Sequence, residues 1–81
     1  MGYYSLGEAY AEAGKHREAA ETFEKGLRVD PKHSSSYLGL GSVYQAMGEK
    51  EKALETFKKG IMVADSQGDM VPLKKMQARL A

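Results

Sequence analysis

The sequence predicts an all-α fold built of stacked helix–turn–helix hairpins, and three observations predict it. The chain repeats itself at a fixed period of 34 residues. Within each copy the apolar residues recur at helical spacing. Glycines, which disfavour helices, nevertheless fall at matching points of both copies. In detail, Tyr3, Leu6, Gly7, Tyr10, Gly14, Ala19, Glu21, Thr22, Phe23, Lys25, Gly26 and Val29 return as Tyr37, Leu40, Gly41, Tyr44, Gly48, Ala53, Glu55, Thr56, Phe57, Lys59, Gly60 and Val63, with Leu27 becoming Ile61. A fixed period of this length is the mark of a stacked repeat.

The first helix is expected over about Gly2–Ala13. Tyr3, Leu6, Gly7 and Tyr10 stand at i, i+3, i+4 and i+7, one face of a helix. Gly14 is suited to end it, since a helix C-cap favours a residue without a Cβ. The second helix is expected over about Lys15–Val29, with Ala19, Ala20, Phe23, Gly26 and Leu27 inward. Its outer face is charged, and Glu21–Lys25 and Glu24–Arg28 have the favourable i, i+4 order. Asp30-Pro31 ends it, because a residue before proline is pushed out of the α region. Gly7, Gly26, Gly41 and Gly60 each cost about 1 kcal/mol relative to alanine inside a helix. Their recurrence in register points to close approach of helix backbones.

Ser34–Ser36 offer an N-cap for a third helix, about Ser35–Met47, closed by Gly48. A fourth helix begins near Glu49. It has Asp65 where the first copy has Pro31, so it is expected to run on to Asp65 or Gln67. Asp69 can cap a fifth helix, about Met70–Leu80, with Pro72 tolerated in its first turn. Met70, Leu73, Met76 and Leu80 form its apolar stripe, opposite Lys74, Lys75 and Arg79. This helix breaks the repeat, as capping elements do.

Composition limits the function. Eighty-one residues make one small domain, and the chain has no cysteine for a disulfide or for thiol chemistry. The longest purely apolar run is Ile61–Ala64, far short of the ~20 residues of a membrane span. No secretory leader is visible, so a cytoplasmic location is the expectation. A net charge of +1 with both signs interspersed argues against nucleic acid or a membrane surface as a partner. His16 and His33 lack metal-ligand spacing and are assigned to turns. Ser34–Ser36 have no base at a legible spacing, and Glu8 and Glu12 read as solubilising charge. No catalytic residue, metal site or cofactor is expected.

The pattern resembles a known family. L-G-x-x-Y at Leu6–Tyr10, then Ala19, Phe23 and Pro31, with Leu40, Gly41, Tyr44, Ala53 and Phe57 in the second copy, is similar to the tetratricopeptide repeat (TPR). Tyr3 and Tyr37 stand where the family usually has Trp, and Gly26 and Gly60 where it usually has Ala. The resemblance covers about residues 2–67. It implies an α-solenoid: a right-handed superhelix of two TPR hairpins, residues 1–33 and 34–67, with residues 68–81 as a C-terminal capping helix. It also implies a concave groove lined by the first helix of each repeat, which contacts a protein or peptide partner. Carried onto this chain, the groove positions are Tyr4, Glu8, Ala11 and Glu12, then Ser35, Leu38, Ser42 and Gln45. They differ between the copies while the core positions match.

Some TPR domains clamp the acidic tail of chaperones through Lys and Asn on successive groove helices. Here the matching positions hold Tyr4 and Glu8, then Leu38 and Ser42, which argues against that ligand. A neutral or basic peptide with an apolar anchor fits better. The expectation is therefore a non-catalytic interaction module. The alternatives are a self-associating scaffold, a homodimer covering the open first helix, and a segment of a larger protein.

Overall fold

The computed structural model describes residues 2–80. Met1 and Ala81, the outermost residues of the expected domain, lie outside them. Five helices follow in order: α1 (Tyr3–Glu12), α2 (His16–Val29), α3 (Ser34–Ala46), α4 (Lys50–Gln67) and α5 (Met70–Leu80). Among the described residues there is no strand, and no helix is long and apolar enough to cross a membrane. Each helix packs on its neighbour in sequence, and α3 also touches α1 and α5. This serial stacking is that of a helical-repeat solenoid.

Three turns share one hydrogen-bond pattern. After α1, Gly14 adopts a left-handed φ of 78°, and the Lys15 and Gly14 amides bond back to the carbonyls of Tyr10 and Ala11. Gly48 and Gly68 do the same after α3 and α4. This is the Schellman closure, which satisfies carbonyls orphaned at a helix end and needs a residue free of a Cβ at positive φ. The α2 end differs because Pro31 follows: Asp30 is non-helical, and its carboxylate accepts the Lys32 amide at 3.2 Å. With Asp65 in the place of Pro31, α4 runs four residues longer than α2, 18 against 14.

The repeated glycines are explained by side chains rather than by touching backbones. A methyl at Gly7 would lie 2.7 Å from the Phe23 ring, and one at Gly41 would crowd Phe57 in the same way. Each phenylalanine thus lies flat on the backbone of its hairpin partner. Gly39 opens a second flank for Phe23, which it would meet at 2.6 Å. Gly26 receives Tyr3, and Gly60 receives both Tyr37 and Met76. Gly60 is therefore where α5 docks. Phe23, Phe57 and Met76 are the largest fully buried side chains, each contributing roughly 1.5–3 kcal/mol.

Three local expectations are corrected. The serines do not cap α3: His33 stands at its N-cap, Ser34 is already helical, and the Ser34 hydroxyl donates to Asp69 across the structure at 2.8 Å. Gln67 joins that contact from the end of α4, so these polar groups tie the α2–α3 loop to the α4–α5 junction. The i, i+4 charge pairs of α2 do not close. Among the described residues the ion pair within 4 Å is Glu49–Lys52, and Glu24 instead accepts the Tyr44 hydroxyl at 2.5 Å. Long exposed side chains lose rotamer freedom on pairing, which offsets most of the Coulomb gain. Finally, only the middle of the α5 stripe is used: Leu73 and Met76 are buried, while Met70 and Leu80 stay exposed.

Candidate functional site: a concave cleft between α1 and α3

Two neighbouring helices, α1 and α3, leave a cleft of about 310 Å³ on one side of the stack. Tyr4, Glu8, Ala11 and Glu12 of α1 line one wall, and Leu38, Ser42, Val43 and Ala46 of α3 line the other. Phe23 and Gly39 form the floor, and His16 of α2 and Lys75 of α5 complete the lining. The period of α1 explains the split. Positions 4, 8, 11 and 12 follow the helical repeat on one side, while Gly7 faces Phe23 of α2.

Tyr4 organises the near end. Its ring packs on Phe23 at 6.0 Å and on His33 at 5.1 Å between centroids, both tilted. Its hydroxyl donates to Glu8 at 3.0 Å. Burial, and then the Glu8 carboxylate, push its pKa above the usual tyrosine value. His33 is held in turn by the Ser36 hydroxyl at its Nδ1, 2.8 Å away. On the facing wall the Ser42 hydroxyl donates to the Leu38 carbonyl at 2.7 Å, so its oxygen still has room to accept.

Six of the eight sequence-predicted residues meet here: Tyr4, Glu8, Ala11, Glu12, Leu38 and Ser42. Two do not. Ser35 lines a separate polar notch with Gln67 and Asp69. Gln45 turns toward α5, where its side chain accepts from Arg79 at 3.2 Å. Sequence reasoning missed Val43, Ala46, His16 and Lys75. Ala46 was within reach, being the 34-residue counterpart of Glu12. Lys75 was not, because α5 carries no repeat register. His16 is also not the exposed turn residue expected: it opens α2, half-buried, and its Nδ1 is buried without a hydrogen-bond partner.

A larger cleft, about 540 Å³, lies on the opposite side between α2 and α4. Its lining is different in kind. Six of its ten residues, Tyr37, Leu40, Tyr44, Glu55, Thr56 and Lys59, are copies of residues 34 positions earlier. Of the twelve residues lining the concave cleft only Phe23 is shared between copies. Scaffold residues line the larger cleft, and copy-specific residues line the smaller one. Among the described residues no group of three or more His, Cys, Asp or Glu side chains is arranged to hold a metal ion.

A serial stack of helical hairpins defines a helical-repeat protein. A family model described as tetratricopeptide repeat matches residues 10–80. The chain belongs to the tetratricopeptide repeat family, whose members generally act as non-catalytic modules that bind protein partners. Among solved structures it is similar to the crystal structure of a tetratricopeptide repeat domain protein from Salinibacter ruber. The TM-score is 0.87 at 26% identity, over 94% of this chain and 84% of that one. A solution NMR structure of a tetratricopeptide repeat domain protein from the same organism gives a TM-score of 0.85 at 26% identity, over 94% of this chain and 77% of that one. No curated protein matches the chain.

Proposed function

We propose that this chain is a non-catalytic protein–protein interaction module that presents the cleft between α1 and α3 to a peptide or protein partner. The supporting observation is the contrast in lining: the positions that differ between the copies gather in the concave cleft, while the copied positions build the core and the opposite face. A scaffold that keeps its packing and varies its contact surface has this distribution. The cleft combines an apolar floor with a few polar groups at its rim, the composition of a recognition site. Its contact residues stand on helices, which hold them in fixed positions before a partner arrives.

The test is selection of a phage-displayed peptide library against the folded chain, followed by calorimetric titration of the enriched peptides. Ala46→Tyr fills the cleft from an exposed wall position and is expected to lower affinity at least about tenfold, a loss of about 1.4 kcal/mol. Thr56→Tyr in the larger cleft is expected to leave it unchanged. The reverse pattern would overturn the reading.

A second reading is self-association through α1. Tyr3 and Tyr37 share a register, yet Tyr3 is 46% exposed and Tyr37 only 4%. Sedimentation equilibrium separates the two readings: a monomer over a wide concentration range removes the scaffold, and a tight dimer that dissociates on Tyr3→Glu supports it.

A further inference from the structure

The concave face is electrically lopsided. Its α1 wall carries Glu8 and Glu12, its α3 wall the uncharged Leu38, Ser42 and Ala46, and its α5 end Lys75. All three charged residues are exposed, and none has an ion-pair partner within 4 Å among the described residues. Glu8 and Glu12 stand one helical turn apart, a like-charge spacing that mildly destabilises a helix. A cation placed between them relieves that repulsion. Lys75, from α5, lines the same cleft, whose carboxylates are those of Glu8 and Glu12.

We infer that the cleft takes a polypeptide segment of two-signed charge. A Lys or Arg side chain sits against Glu8 and Glu12, an apolar side chain rests on Leu38 and Val43, and an Asp or Glu faces Lys75. The inference rests on the proposed groove and names its ligand chemistry. Among the described residues the helices α1 and α5 both pack on α3 and not on each other, so the two signs of charge come from opposite sides of α3 while lining one cleft. A short segment that crosses α3 meets both. It reads basic, then apolar, then acidic, in either chain direction. A uniformly acidic tail or a nucleic acid would meet two carboxylates at the α1 wall.

Four fluorescein-labelled nine-residue peptides test it. Each has a central Leu, flanked three positions away on either side by Arg and Asp, Arg and Arg, Asp and Asp, or Gln and Gln. Anisotropy titrations use the unmodified chain, the double variant Glu8→Lys with Glu12→Lys, and Lys75→Glu, each checked for helix content by circular dichroism. These sites are exposed, so the variants are expected to fold. With the unmodified chain the Arg/Asp peptide is expected to bind tightest and the Asp/Asp peptide weakest, with about a fivefold step for each exposed charge contact. The double lysine variant is expected to make Asp/Asp the preferred peptide, and Lys75→Glu to make Arg/Arg preferred. Equal affinity for all four peptides, or rankings that the charge reversals do not move, would overturn the inference and leave the groove intact. If none of the four binds, the inference is overturned as well. Library-selected peptides then tell the two failures apart: if Ala46→Tyr weakens them, the groove reading stands, and if it does not, that reading fails too.

Discussion

The two hairpins, α1–α2 and α3–α4, make a controlled comparison, because the same residues stand at the same places with different surroundings. Phe23 and Phe57 are both fully buried, each flat on a glycine of its partner helix. The tyrosines behave otherwise. Tyr37 and Tyr44 are buried, while their counterparts Tyr3 and Tyr10 are exposed and half-exposed. Leu40 is buried where Leu6 is only partly so. The difference is α2, which covers the outer face of α3 and has no counterpart over α1 among the described residues. Packing inside a hairpin is a property of the repeat. Burial of the stacking face is a property of the neighbour.

The sharpest way to break this comparison is truncation of the shared core. Phe57→Ala is expected to cost about 3–5 kcal/mol, enough to unfold a domain of this size, and Phe23→Ala the same. Denaturant melts followed by circular dichroism check it. If one hairpin survives loss of its phenylalanine while the other does not, equivalence inside the hairpins is wrong. Tyr37→Ala is expected to cost a similar amount and Tyr3→Ala about 1 kcal/mol, since only the first is covered.

The glycines sharpen the contrast at a smaller scale. In an open helix Gly→Ala stabilises by about 1 kcal/mol. At Gly60 the new methyl would lie 2.5 Å from the Tyr37 Cβ and 2.6 Å from the Met76 sulfur. Tyr37 is locked in the core, so Gly60→Ala is expected to cost about 1–3 kcal/mol. At Gly26 the methyl would meet one such atom, the Tyr3 Cβ at 2.8 Å, which no rotamer change moves, and it has no second contact like that with Met76. Gly26→Ala is therefore expected to cost less than Gly60→Ala, about 1 kcal/mol. Paired melts read the difference in size directly.

The smallest expected effect is chemical. Burial first, then the Glu24 carboxylate that accepts its hydroxyl, raise the Tyr44 pKa above its unfolded value near 10, and Tyr37 is raised by burial and by Asp30. A tyrosine with a raised pKa stays neutral, and stabilising, up to the unfolded value. Above it the unfolded chain loses its proton first, so stability falls as pH rises past about 10. Tyr44→Phe removes one such group. It is expected to cost about 1 kcal/mol at neutral pH and to flatten the alkaline fall in melting temperature.

The hairpins were legible in the sequence because a 34-residue period, a helical apolar stripe and the turn glycines Gly14 and Gly48 all point the same way. The long α4 was legible from Asp65 standing in place of Pro31. The cleft was legible as far as the repeat register reaches: positions 4, 8 and 12 on α1 and their counterparts on α3. Beyond that, long-range contacts decide. Gln45 leaves the cleft because Arg79 holds it, and Ser34 serves Asp69 rather than its own helix. Both partners lie on or beside α5, whose angle is set by how Leu73 and Met76 pack, and no local pattern specifies that angle. Lys75 enters the cleft for the same reason.

The central claim is that the concave cleft, and not the larger opposite one, meets the partner. Chemical-shift mapping on isotopically labelled protein tests it most directly, with a library-selected peptide titrated to saturation. The expected result is perturbation of the Ala11, Leu38, Ser42 and Ala46 amides, with Leu27, Thr56 and Lys59 unmoved. Shifts centred on Leu27, Tyr44, Thr56 and Lys59, with the concave residues silent, would contradict it.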